Sequence, residues 1–284
     1  MQIIVTQNAG FCFGVERAIT MAFDATQDHD RNIYTLGPII HNPQVVKTLS
    51  EEGVHAKEDV DEIENGTVII RSHGVEADTM KKVKGKTSLN VLDATCPFVK
   101  KVQNNAELMS SEGYSVLIVG DEKHPEVKGI VSYIKGPVYV AGSVSDVEKM
   151  PKIKMLGIVA QTTQSQENFE KIVDACMSKA EEIKICNTIC DATEVRQYES
   201  TDLARKVDCM IVIGGFNSAN TKRLYSLCRE IQPNTHHIEG ADAIDENWFD
   251  GMKRVGVTAG ASTPSTVIEE VRLKIEDIGL QNKL

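Results

Sequence analysis

Short aliphatic runs recur along the chain at Ile3–Val5, Val68–Ile70, Val91–Leu92, Val116–Val119, Val138–Val140, Leu156–Val159, Met210–Ile213 and Val255–Thr258. Each is too short for a helix and is bounded by polar or glycine-containing residues, which predicts a strand. Between them lie stretches with helical spacing of apolar positions, such as Glu167–Lys184 and Thr221–Ile231. Alternation of this kind predicts an α/β architecture with mostly parallel sheets. His55, His236 and His237 fall in stretches that read as solvated loops, and His29 in a charged turn.

The segments after the strands carry the chemistry. They read Arg71-Ser72-His73-Gly74, Gly120 through Glu126, Gln161-Thr162-Thr163, Gly214 through Asn220, and Ala259-Gly260-Ala261-Ser262. Ligands of open α/β sheets bind beyond the carboxyl ends of the strands, and the helices that follow present N–H groups suited to phosphate. A single loop of this kind, taken alone, reads as a plain strand-to-helix turn with an N-cap. Several together, with His41, His73 and His124 in separate loops, predict a shared anion site; the histidines would also suit zinc. Glu126, its backbone stiffened by Pro125, is the acid/base candidate. As a solvated glutamate at a helix start it would have no such role.

Composition narrows the field. The 284 residues are 41% hydrophobic and 25% charged, the proportions of a globular protein of two or three domains. A formal net charge of −10 argues against nucleic acid and anionic membranes as partners. No apolar run approaches the ~18 residues of a membrane span. The start, Met1 through Gln7, reads as a strand and not as a leader peptide, which predicts a cytoplasmic protein. In that reducing compartment the seven cysteines are expected as free thiols or metal ligands.

The cysteines sort by context. Cys176 and Cys228 lie on apolar helical faces, Cys209 opens a strand, and Cys186 sits in a strand expected over Ile183–Cys186. All four read as structural. Cys12, Cys96 and Cys190 sit at turns, at similar intervals along the chain, as if three units of like size each offered one thiolate. Asp93-Ala94-Thr95-Cys96 and Cys190-Asp191-Ala192-Thr193 hint at the same repetition. Three thiolates suit zinc or an iron–sulfur cluster, and a cluster with three protein ligands keeps one metal position open.

Taken in order, the motifs resemble the IspH/LytB family of 4-hydroxy-3-methylbut-2-enyl diphosphate reductases over nearly the whole chain. They are Gly10-Phe11-Cys12-Phe13-Gly14-Val15 with Arg17-Ala18-Ile19, Leu36 through Asn42, Ser72-His73-Gly74-Val75, Asp93 through Pro97 and His124-Pro125-Glu126. Gln161-Thr162-Thr163, Asn187 through Cys190, Ser218-Ala219-Asn220 and Thr258 through Pro264 complete the set.

The resemblance implies three similar α/β domains with mostly parallel sheets, arranged as a trefoil around a central iron–sulfur cluster. They would cover residues 14–96, 97–189, and 1–13 with 190–284. It implies one 4Fe-4S cluster held by Cys12, Cys96 and Cys190, with one iron position open. His41, His73, His124, Ser218, Ala219, Asn220 and Ser262 match the diphosphate-binding positions. Thr162 and Glu126 match the residues that meet the substrate hydroxyl. The implied reaction is reductive dehydroxylation of an allylic diphosphate to isopentenyl and dimethylallyl diphosphate, the last step of the non-mevalonate isoprenoid pathway. The electrons would come from an external donor such as ferredoxin or flavodoxin. Ala219 stands where the family has a second serine, so a main-chain N–H must serve there. Ser265 replaces a common glutamate and Phe13 a common small residue. A zinc-dependent hydrolase and a non-catalytic iron–sulfur sensor are the competing readings.

Overall fold

The computed structural model describes residues 1–27 and 32–281; His29 lies outside them. The chain clusters into two compact units. One comprises Met1–Phe13, His41–Val45 and Asp191–Leu284, the other Gly14–Ile40 and Val46–Cys190.

The first unit contains one sheet, built from β1 (Gln2–Val5) and three strands from the far end of the chain. The second contains two sheets. One is formed by β2 (Ile33–Leu36), β3 (Val54–Lys57), β4 (Gly66–Ile70) and β5 (Leu89–Asp93), the other by β6 (Ser115–Val119), β7 (Val138–Ala141), β8 (Ile153–Ala160) and β9 (Ala180–Ile185). The late strands of the first unit are β10 (Cys209–Ile213), β11 (Thr235–Ile238) and β12 (Arg254–Ala259).

The spatial orders are β3-β2-β4-β5, β7-β6-β8-β9 and β11-β10-β12-β1, and every pairing is parallel. All three sheets therefore share one topology, 2-1-3-4, and the third borrows its fourth strand from the start of the chain. In that order the first and third strands are neighbours whose outgoing chains diverge, which opens a crevice beyond their carboxyl ends.

Helices connect the strands: α1 (Phe13–Thr26), α2 (Pro43–Glu51), α3 (Ala77–Gly85), α4 (Pro97–Ser111), α5 (Pro125–Ser132), α6 (Val144–Glu148), α7 (Gln166–Cys176), α8 (Asp191–Ala204), α9 (Ala219–Ile231) and α10 (Ser265–Gln281). Central strands are apolar on both faces because helices cover both. On β10, Cys209, Ile211 and Ile213 enter one core with Val271 and Ile275 of α10. Met210 and Val212 enter another with Leu203, Leu224 and Cys228.

Several sequence expectations need correction. The amphipathic stretch Glu167–Lys184 is not one helix. The chain leaves helix at Cys176, turns through Lys179, and pairs with β8 as β9, because edge pairing to a buried strand outweighs the helical periodicity. The expected strand to Cys186 ends at Ile185. His55 lies on β3, and His236 and His237 on β11, not in solvated loops. His236 stacks on Trp248 at 3.8 Å between ring centroids, and His237 Nε2 lies 2.8 Å from the Gly214 carbonyl oxygen. The two Asp-Ala-Thr matches are out of register, since Cys96 ends its motif and Cys190 begins its own. The repetition resides in strand order.

Candidate active site

The same positions of each repeat carry the candidate residues. His41, His124 and Ser218 are each the fifth residue beyond the first strand of their sheet. Ser72, Thr162 and Ala261 are each the second residue beyond the third strand. Cys96, Cys190 and Cys12 follow the fourth strand, each immediately before a helix.

One hydrogen bond recurs three times. The amide of Cys96 donates to the Ser72 carbonyl at 2.9 Å, that of Cys190 to the Thr162 carbonyl at 3.1 Å, and that of Cys12 to the Ala261 carbonyl at 3.2 Å. Each cysteine is thus tied to the third-strand loop of its own sheet. These loops also carry His73, Thr162 and Ser262.

In the larger unit, His124 caps α5 by accepting the Glu126 amide on Nδ1 at 3.2 Å, and Pro125 occupies the first helical position, where its missing N–H costs nothing. This turn directs Glu126 inward, where it is 1% exposed. Its carboxylate accepts the Thr162 amide at 2.7 Å and the Thr162 hydroxyl at 2.9 Å. Burial pushes the Glu126 carboxyl up to about 7, against the opposing pull of those two bonds. It is therefore poised to hold or release a proton near neutrality. The His73 and His124 rings meet edge to face at 5.4 Å. Beside Thr162, Gln161 Oε1 accepts the Asp121 amide at 3.1 Å, while its buried Nε2 has no hydrogen-bond partner among the described residues. Thr188 pins the loop before Cys190 to the end of β8 through both main-chain groups of Ala160.

In the smaller unit, Ser218 caps α9 and accepts the Thr221 amide. Ala219 opens the helix, so its main-chain N–H is among those without an intrahelical acceptor. Asn220 follows, buried, with neither Oδ1 nor Nδ2 hydrogen-bonded among the described residues. A buried amide with both ends unsatisfied is costly, and it suits a polar ligand. Ser262 donates to the His41 carbonyl at 3.4 Å, and Asn42 Nδ2 donates to the Ser262 carbonyl at 2.8 Å. Asn42 also caps α2 through the Gln44 and Val45 amides. Asn42 escaped assignment from sequence, although an asparagine directly before Pro43 signals a capped helix start.

The cysteines divide by environment. Cys176, Cys209 and Cys228 are buried, and desolvation pushes their thiols up to about 11, 12 and 12, so they stay protonated. Cys12, Cys96, Cys190 and Cys186 are part-exposed and form no disulfide; Cys12, Cys96 and Cys190 stand at helix starts, where anionic ligands are favoured, while Cys186 directly follows β9. A cradle surrounds Cys96: a Cβ on Gly14 would fall 2.5 Å from its Sγ. That clearance, with three part-exposed thiols in one repeated position, fits a metal-cluster ligand set.

Comparison with known proteins agrees in extent. The model of the LytB protein family matches residues 3–276. A 4-hydroxy-3-methylbut-2-enyl diphosphate reductase of Geotalea uraniireducens is 56% identical over 98% of each chain. The protein of that name from Pelobacter propionicus is 55% identical over 99% of this chain and 100% of its own. A solved structure of (E)-4-hydroxy-3-methyl-but-2-enyl diphosphate reductase, described as the terminal enzyme of the non-mevalonate pathway, aligns with TM-score 0.72 at 45% identity, covering 98% of this chain and 100% of that one. A reductase structure from Plasmodium falciparum aligns with TM-score 0.91 at 29% identity, covering 96% and 87%. With motif, topology and sequence matched from end to end, the chain belongs to the LytB protein family.

Proposed function

We propose that this protein reductively removes the hydroxyl group of 4-hydroxy-3-methylbut-2-enyl diphosphate, yielding isopentenyl and dimethylallyl diphosphate. The observation that carries this reading is the Glu126–Thr162 pair: a buried carboxyl near pKa 7, held by a residue whose carbonyl anchors Cys190. A binding or sensing protein has no use for such a proton donor.

Cys12, Cys96 and Cys190 would hold one 4Fe-4S cluster, which supplies a Lewis-acidic open iron and a path for two electrons. The protein's own groups do the rest. His41, His73, His124, Ser218, Asn220, Ser262 and the Ala219 amide bind the diphosphate and so orient the hydroxyl. Thr162 relays, and Glu126 delivers, the proton with which that oxygen leaves as water. The C–O bond breaks, and the allylic fragment takes up two electrons and one further proton at either of two carbons. The electrons come from an external donor such as ferredoxin or flavodoxin. No helix of the described residues is long and apolar enough to cross a membrane, in keeping with work in the cytoplasm.

We assign the three domains to residues 14–96, 97–189, and 1–13 with 190–284. Each range contains all four strands of one sheet.

The test is anaerobic purification, iron and sulfide counts, and turnover of the diphosphate with a reduced viologen. Iron, sulfide and both products are expected. Zinc without sulfide would instead indicate a hydrolase, and a replete cluster without turnover a sensor.

A further inference from the structure

We propose that Arg196 is a positioning residue for the Cys12 thiolate, and that Arg17 does the same for Cys96. The inference rests on the cluster reading above and concerns two cations to which that reading gives no part.

Arg196 is 3% exposed on α8, six residues after Cys190. A buried guanidinium must find compensating partners. Arg196 finds them in main-chain carbonyls: Nε donates to Asn8 at 3.0 Å, Nη2 to Gly10 at 2.8 Å, and Nη1 to Ala192 at 3.1 Å. Asn8 and Gly10 lie just ahead of Cys12. One turn along the same helix, Glu199 accepts both the Asn8 amide at 2.9 Å and the Asn8 side chain at 2.6 Å. The strap is closed from the other side. Gly10 adopts φ +100°, and a Cβ there would lie 3.1 Å from Ile268 Cδ1 and 3.2 Å from the Thr263 carbonyl. The Cys12 amide is spent on Ala261. The loop is fixed at carbonyls, amide and backbone dihedral, which sets the direction of the Cys12 Cα–Cβ bond and leaves the thiol only its χ1 rotamers.

The arrangement occurs again in the other unit. Arg17, on α1 five residues after Cys12, donates to the carbonyls of Asp93 at 3.2 Å and Thr95 at 3.4 Å, the residues that lead into Cys96. In both cases an arginine on the helix after one cysteine grips the carbonyls ahead of another. A planar guanidinium holds these carbonyls on separate nitrogens in one fixed geometry, which a single ammonium nitrogen cannot reproduce, and its fixed charge also offsets the negative charge of a thiolate-ligated cluster.

The experiment uses the full-length, anaerobically reconstituted protein with Arg196→Lys and Arg17→Lys. Lysine keeps the charge but not the fork. Both variants should lose the cluster to an iron chelator about 10- to 100-fold faster than wild type, with altered EPR g-values in the reduced state. Ser200→Ala is the control, since Ser200 is fully buried on the same helix and bonds Thr258 at 2.8 Å. It should lower the melting temperature and leave chelator rate and spectrum alone. If the arginine variants release iron no faster than this control and keep the wild-type spectrum, the arginines only support the fold. If Arg196→Lys does not fold, the part-buried Arg17 decides the question alone. If Cys12→Ser also keeps a full cluster, the cluster assignment itself is wrong and the proposal falls with it.

Discussion

Thr162 holds both oxygens of the Glu126 carboxylate, its amide 2.7 Å from Oε1 and its hydroxyl 2.9 Å from Oε2. Two short strand-end loops of one sheet thus place the proposed proton donor and its proposed relay beyond the carboxyl ends of β6 and β8. The carboxyl remains near neutrality because burial outweighs those two bonds.

Glu126 should leave a signature in stability. Its folded pKa of about 7 lies above the ordinary 4.5, so between those values the folded chain retains a proton that the unfolded chain has released. Stability from this group is full below about pH 4.5 and is lost as pH rises through about 7. Glu126→Gln lacks that loss. Its stability relative to wild type should therefore increase by roughly 3 kcal/mol between pH 4.5 and pH 8. Urea unfolding of both proteins across this range measures it, and a difference independent of pH would assign the titration elsewhere. Turnover of the same variant should fall ~100-fold or more with substrate affinity kept.

Thr162→Val removes the hydroxyl but not the amide. The Glu126 carboxyl loses one of the bonds that pull its pKa down, so the alkaline fall of the pH–rate profile should move to higher pH. The plateau should drop by the roughly 1–3 kcal/mol of a lost charge-assisted bond. Thr162→Ser should restore both features. Profiles of the three proteins decide the matter.

At Gly14 the backbone is unstrained and the difficulty is purely steric. A methyl there would sit 2.5 Å from Cys96 Sγ, inside van der Waals contact. Gly14→Ala should yield a folded chain with at most half the wild-type iron and sulfide. Full occupancy would show that the Cys96 thiol has another rotamer from which to bind.

Asn220 carries an amide with no partner among the described residues, a cost in the free protein that the proposed diphosphate would offset. Asn220→Ala should therefore leave the substrate-free melting temperature unchanged or raised, while weakening substrate binding by about 1–3 kcal/mol. Calorimetry and thermal melts test the two halves separately. A lowered melting temperature with intact binding would make Asn220 structural.

Serine at Cys12, Cys96 or Cys190 should abolish cluster loading. Serine at Cys176, Cys209 or Cys228 should lower stability and leave iron content near wild type, since those thiols lie in apolar cores. Elemental analysis of the soluble variants separates the two groups.

The central strands other than β2, the strand-end loops and the burial of Cys176, Cys209 and Cys228 were legible in the sequence, whereas Cys186, grouped with those three, is part-exposed. β10, with five buried apolar residues, and the loop from Gly214 to Asn220 announce themselves by composition. Among the edge strands, β1, β5 and β7 were legible as short aliphatic runs, but β3 and β11 were not. They carry histidines and leave their two middle residues unburied, so their pattern resembles a loop until a neighbouring strand supplies hydrogen bonds.

What the sequence by itself determined is which chemistry is present: the thiols, histidines and acid, set at the ends of short apolar runs in a recognisable order. Only the tertiary structure decided that three sheets share one topology, that each Cys amide is bound to the same position of its own repeat, and that Arg196 is buried. It alone decided the protonation of Glu126. The physical reason is that desolvation, hydrogen bonding to Thr162 and the clearance at Gly14 all depend on residues far apart in the chain, and local pattern carries no information on which distant strand ends will meet.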